Sequence, residues 1–247
     1  MYTSSLLKSQ AGITHGFSEI KEGNMAYRFG SHNKVDANRT AFLARLGLTP
    51  EQCAAQVGLV DGIHVITDSD LGRGMFDRES SIQTNALITN KPGAGLFLTI
   101  ADCIPIILYD PVKHAIALIH AARQSTNLLL PAKVVERLKA EFGSDPAGIL
   151  ACLGPAVQAR SYVYDQNIYK LVTPAWKPFL HERNPNHMEV DNVGYAKAQL
   201  IKAGIPEHNL DDSGIDTGRP DANFFSHVRS VHTGAPEGRL AAVVALR

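Results

Sequence analysis

The sequence predicts an α+β fold with mixed sheets, carried as one domain over 1–247, and three observations lead there. Apolar runs of strand length occur both back to back, as in a hairpin, and between amphipathic helices. Such an order mixes antiparallel with parallel pairing and does not suit a purely doubly wound sheet. No repeat, charge block or Pro/Gly/Ser linker divides the 247 residues, a length that suits one large domain.

Each element has a local reason. "VDANRTAFLARLGL" (35–48) reads as a helix, with Asp36 as N-cap, Phe42, Leu43 and Leu46 as its apolar stripe and Gly47 at its end. "NALITN" (85–90) is a short strand running into the turn "NKPG". "IPIILYDPVKHAIALIHA" (104–121) is a hairpin with "DPVK" as its turn, Pro111 pre-setting the backbone. "AKVVERLKAEFG" (132–143) is amphipathic through Val135, Leu138 and Phe142, and Pro131 suits its first turn. "GILACLGPAV" (148–157) is a buried strand ending in a Gly-Pro turn. "NIYKLVTPAWKPFL" (167–180) is helical but interrupted by Pro174 and Pro178. "VDNVGYAKAQLIKAG" (190–204) is a helix capped by Asp191 and stopped by Gly204. "GRLAAVVAL" (238–246) closes the chain as a strand.

Composition narrows the function. Hydrophobic residues make up 45% and charged residues 19%, and 24 basic residues balance 24 acidic ones. A neutral chain without a basic run argues against nucleic-acid binding. No apolar run reaches the ~18 residues of a membrane span, and the start has no apolar region of signal-peptide length. The three cysteines, Cys53, Cys103 and Cys152, are odd in number and widely spaced. They read as reduced, in a cytoplasmic protein.

The hairpin carries the chemistry. With Pro111 and Val112 as a two-residue loop, Asp110 faces Lys113 and Cys103 faces His120, with Cβ atoms about 4.5–5.5 Å apart. A bulge would shift that register. Asp102 adjoins the pair as a candidate acid–base group, and "AARQS" after His120 turns polar as a pocket loop would. The alternative is structural: Cys103 a small buried residue and His120 a satisfied strand-end histidine.

"NALITNKPGAGLFLTIADCIPIILYDP" followed by "ALIHA" resembles the laccase-domain, or YfiH-type, family, also called the polyphenol oxidase family. "THGFSE", "NRTAFLARLGL", "DGIHVI", "LGPAV", "SYVYD", "NFFSHVRS" and "GRLAAVVAL" match in the same order. The resemblance implies a layered α/β sandwich and a zinc site of two histidines and a cysteine. It further implies phosphorolysis of purine nucleosides and deamination of adenosine, so the expected partners are a purine nucleoside and phosphate. Cys103 and His120 fall on two ligand positions. The family's Gln-Val-His-Gly stretch is set against Leu59–Gly62, which makes Asp61 the third expected ligand. Zinc suits a thiolate and an imidazole, whereas one cysteine and scattered histidines make no multicopper set.

The chain departs from the family at Glu19, Gln124 and Val163, where an arginine, an arginine and a glutamate are expected. Arg123 occupies a tryptophan position, and one of two paired arginines remains, Arg229. Arg123, Phe225 and Arg229 are the expected substrate contacts, with Arg28 and Arg39 as possible substitutes for the missing arginines. Three functions are thus open: a zinc-dependent purine nucleoside enzyme, an inactive relative that binds a ligand or partner, and a metal-free hydrolase using Cys103 and His120.

Overall fold

The structure, a computed structural model, describes residues 1–58 and 62–247. Two large sheets lie face to face. One has the order β1 (Ile13–Phe17), β14 (Leu240–Leu246), β6 (Gly95–Ile100), β2 (Cys53–Val57) and β4 (Ile82–Gln83). β14 is antiparallel to both β1 and β6, and β2 is parallel to β6 and β4. The other has the order β13 (Leu210–Asp212), β9 (Leu150–Leu153), β7 (Ile104–Asp110), β8 (Ala115–Ala121), β5 (Ala86–Thr89) and β3 (Ile63–Val65). Its outer pairs, β13–β9 and β5–β3, are parallel and its inner pairs antiparallel. Both sheets are mixed, as the sequence predicts.

Period-2 side-chain alternation explains the layers. Leu96, Leu98, Ala242 and Val244 point between the sheets and meet Ile107, Ile116, Leu118 and Leu87. The alternate residues of the first sheet, Phe97, Ala241 and Val243, pack on Phe42 and Leu43 of α2 (His32–Ala44). Those of the second, Ile106, Leu108 and Ile119, pack on α4 (Leu130–Phe142) and α6 (Asn192–Lys202). The result is a helix–sheet–sheet–helix sandwich. Buried on both faces, β7, β8 and β14 read as unbroken apolar runs. A small antiparallel sheet, β10 (Val163–Asp165), β12 (His187–Val190) and β11 (Leu180–Asn184), closes over Trp176 and Tyr195. The short helices α1 (Ser5–Lys8), α3 (Arg123–Asn127), α5 (Ile168–Leu171) and α7 (His227–Thr233) complete the frame.

Two local expectations are corrected. α2 starts a turn early, with Ser31 at its N-cap, because Asp36 instead accepts a hydrogen bond from the Tyr27 hydroxyl at 2.6 Å. The β7–β8 loop has four residues, since Asp110 pairs with Ala115. The Asp110 carboxylate accepts the amides of Val112 (2.8 Å) and Lys113 (3.0 Å), and His114 takes the left-handed conformation (φ 48°). That turn moves the register by two, so His120 faces Pro105 rather than Cys103. A shift of two leaves the face unchanged.

Candidate functional site

Cys103 sits where the chain leaves the first sheet for the second. Between β6 and β7 the backbone bends at Asp102, whose φ is 71°, a left-handed conformation that aspartate tolerates better than most residues. The bend is pinned at three points. The Asp102 carboxylate accepts from the Thr217 hydroxyl and the Val228 amide, both at 2.7 Å, and its carbonyl accepts from Val157 N–H at 2.9 Å. Asp102 is therefore a buried anchor that fixes the position of Cys103, and it does not line the cavity beside it.

That cavity, about 350 Å³, opens at the ends of β6 and β8. Cys103 and His120 both line it, together with Arg28, Phe29, Arg78 and Arg239. Its volume is in the range of small-molecule sites. Arg28 and Arg78 are exposed. The Arg239 guanidinium lies 4.3 Å from the centre of the Phe29 ring and donates to the Gly238 carbonyl at 2.7 Å. It also pairs with Glu237 at 3.3 Å, and His227, another lining residue, donates to Glu237 at 2.8 Å. The bond from His227, reinforced by Arg239, holds Glu237 below the usual carboxylate range. Arg39 also reaches the cavity, but its guanidinium is buried and donates to the carbonyls of Met25, Gly74 and Met75. Of the two substitutes, Arg28 is available to a ligand and Arg39 serves the fold.

His120 is held from behind. Asn85 Oδ1 lies 2.9 Å from His120 Nδ1. An amide oxygen only accepts, so Nδ1 donates to it. Gly58 packs against this same contact: a Cβ there would lie 2.1 Å from His120 Nδ1 and 2.4 Å from Asn85 Oδ1, so a side chain at that position would displace the pair. Burial pushes the Cys103 thiol up to about 12, with the Asp102 carboxylate adding to the shift. An activated nucleophile needs the opposite, which counts against the metal-free hydrolase.

For zinc, the described residues bring a sulfur and an imidazole to one cavity, donors of the right chemistry with an outer hydrogen bond of the kind that orients ligating histidines. No group of three His, Cys, Asp or Glu placed to hold a metal ion occurs among the described residues. Asp61, the third expected ligand, lies outside them.

The expected substrate residues are placed elsewhere. The Arg229 guanidinium is buried and donates to the carbonyls of Thr217, Arg219, Ala222 and Phe224. Arg123 donates to the Leu171 carbonyl at 3.1 Å and lies 5.5 Å from the Tyr164 ring centre. Phe225 is buried against Gly238. None of the three lines the cavity. Arg78 and Arg239 were not anticipated; the available signal for Arg239 was its place directly before the closing strand, at a sheet end.

Fold and cavity together define a class: a two-sheet α+β protein with a cationic small-molecule cavity between the ends of its sheets. The family model described as multi-copper polyphenol oxidoreductase laccase matches residues 10–247, and the chain belongs to that family, the laccase-domain or YfiH-type proteins. Among its relatives, a purine nucleoside phosphorylase of Streptomyces coelicolor is 32% identical over 83% of this chain and 81% of its own. A purine nucleoside phosphorylase of Bacteroides thetaiotaomicron is 26% identical over 95% of this chain and 92% of its own. Among solved structures, YlmD from Geobacillus stearothermophilus superposes with a TM-score of 0.87 at 25% identity, covering 96% of this chain and 93% of its own. The Bacillus licheniformis protein YfiH gives the same TM-score and identity, covering 95% and 93%.

Proposed function

We propose that this protein cleaves purine nucleosides with inorganic phosphate in the cavity beside Cys103. The carrying observation is the set of arginines there: Arg28 and Arg78, exposed at the rim, and Arg239, stacked on Phe29. Guanidinium groups bind phosphate through paired, charge-assisted hydrogen bonds, and Phe29 offers a ring face to a base. The relatives named as purine nucleoside phosphorylases support the same reaction. A phosphate oxygen bonds to C1′ of the ribose as the bond from C1′ to the purine nitrogen breaks, and the purine leaves with that electron pair and takes up a proton. The arginines hold the phosphate against C1′, which makes the encounter effectively intramolecular.

Zinc is part of this reading. Cys103 and His120 would hold it, with Asp61 as third ligand. Bound there, it supplies a Lewis acid for orienting phosphate or for adenosine deamination. Copper is not proposed. The three free cysteines suit a cytoplasmic protein.

The test is release of free base from inosine, adenosine and methylthioadenosine with and without phosphate, alongside zinc content in the wild type and in Cys103→Ala. Phosphate-dependent release is the expected result. Folded protein that turns over none of the three overturns the catalytic reading. Protein that neither contains nor takes up zinc overturns the metal part alone.

A further inference from the structure

A second cleft, about 450 Å³, lies on the other side of α7 from the nucleoside cavity. Its wall carries two arginines and two histidines from four separate elements: Arg160 before β10, Arg183 on β11, His187 on β12 and His232 on α7. Among the described residues, no aspartate or glutamate lines it. Most arginines elsewhere among the described residues have a partner. Arg45, Arg73, Arg137, Arg219 and Arg239 each meet a carboxylate. Arg39 and Arg229 are buried on carbonyl oxygens. Arg160 and Arg183 have neither kind of partner for their guanidinium charge among the described residues, except that Arg183 Nη1 donates to the Arg160 carbonyl at 3.0 Å. Outside this cleft, Arg28 and Arg78 of the nucleoside cavity also stand without a carboxylate among the described residues.

The cleft is held in shape rather than loosely assembled. The bond from Arg183 to the Arg160 carbonyl ties the Arg183 guanidinium to the backbone beside Arg160. His187 Nδ1 donates to Asn184 Oδ1 at 3.0 Å, which orients the ring. Asp216 behind the wall is saturated: it accepts from the Ser161 hydroxyl and from the amides of Gln158 and Gly218. It braces the wall from behind, and its charge lies outside the side chains that line the cleft. Two guanidinium groups, one of them tied to backbone, and two imidazoles around one concavity match a compact anion with several charges.

We propose that this cleft binds a diphosphate group, separately from the nucleoside cavity. The proposal does not depend on the phosphorolysis reading. Its test is calorimetric titration with inorganic pyrophosphate and, in parallel, with ADP. The proteins are the wild type, Arg160→Gln/Arg183→Gln, and Arg28→Gln/Arg239→Gln, which alters the other cavity. Arg160 and Arg183 are exposed, so the first double variant keeps its fold, and circular dichroism checks that. The expected result is saturable binding that weakens at least ~10-fold in Arg160→Gln/Arg183→Gln, from loss of charge-assisted bonds, and persists in Arg28→Gln/Arg239→Gln. Equal affinity for both probes identifies free diphosphate as the source, and preference for ADP identifies a nucleotide. Binding that follows only the Arg28 and Arg239 substitutions, or no saturable binding by the wild type, overturns the proposal.

Discussion

Arg229 and Arg239 stand ten residues apart and do opposite work. Arg229 is turned inward, and four backbone carbonyls take up its donors. Arg239 lies on an aromatic ring at the wall of a cavity. The difference comes from neighbours distant in sequence. Arg229 closes the 217–224 loop, in which its four acceptors lie, and that same loop meets Asp102 through Thr217. Arg239 sits at the start of β14, where the sheet ends. A charged side chain saturated by backbone belongs to the fold; one that meets its partners at a cavity wall is available to a ligand.

The comparison is broken most easily at its buried half. Arg229→Ala should destabilise the protein by about 4 kcal/mol, at roughly 1 kcal/mol for each carbonyl left without its donor. Chemical unfolding measures it. A loss below about 1 kcal/mol would mean that the loop re-satisfies itself and that Arg229 is not a structural residue.

His15 extends the comparison to a buried group that titrates. Its Nε2 accepts the Ser4 amide at 2.9 Å, so the fold requires a neutral ring, and burial lowers its pKa to about 4. For a base whose folded value lies below its ordinary 6.5, stability is full above about 6.5 and is lost as pH falls from there to about 4. The loss attributable to this group is about 3 kcal/mol. His15→Gln keeps an acceptor and cannot protonate. The wild type should lose about that much more stability than the variant between pH 7.5 and 4, and parallel losses would acquit His15.

At the cavity the effect moves from stability to turnover. Arg239→Ala should lower kcat/KM for phosphate-dependent base release about 10- to 100-fold, the value of a charged hydrogen bond of roughly 1.5–3 kcal/mol. It should cost under about 1 kcal/mol of stability. An Arg229-like pattern, with stability lost and the surviving activity normal, would erase the distinction.

The layers were legible because burial on both faces writes long apolar runs: β7, β8, β14 and α4 follow directly from the sequence. The hairpin register was not, because it turns on one backbone feature, His114 in the left-handed region with Asp110 capping the loop. The pairing of Cys103 with His120 was legible only as a neighbourhood; the two share a cavity without facing across the strands. The adjacency of Asp102 to Cys103 suggests an acid–base group, whereas its partners, Thr217 and Val228, lie more than a hundred residues away. The arginines show the same limit. Arg229 and Arg123 were chosen by position within family-like stretches, but whether an arginine faces a ligand depends on which carbonyls surround it.

Arg123 gives the finest test. It lies three residues after His120, and a substrate contact there is a natural expectation. Its guanidinium instead reaches across to the Leu171 carbonyl and the Tyr164 ring, tying α3 to α5 and β10. Cation–π contacts of this kind contribute about 0.5–1 kcal/mol. Arg123→Ala should therefore cost about 1 kcal/mol of stability and leave base release within about two-fold of the wild type, the scatter of a substitution away from the site. If turnover instead falls as far as in Arg239→Ala, the cavity extends past His120 toward α3 in the working protein, and Arg123 passes from the first class of arginine to the second.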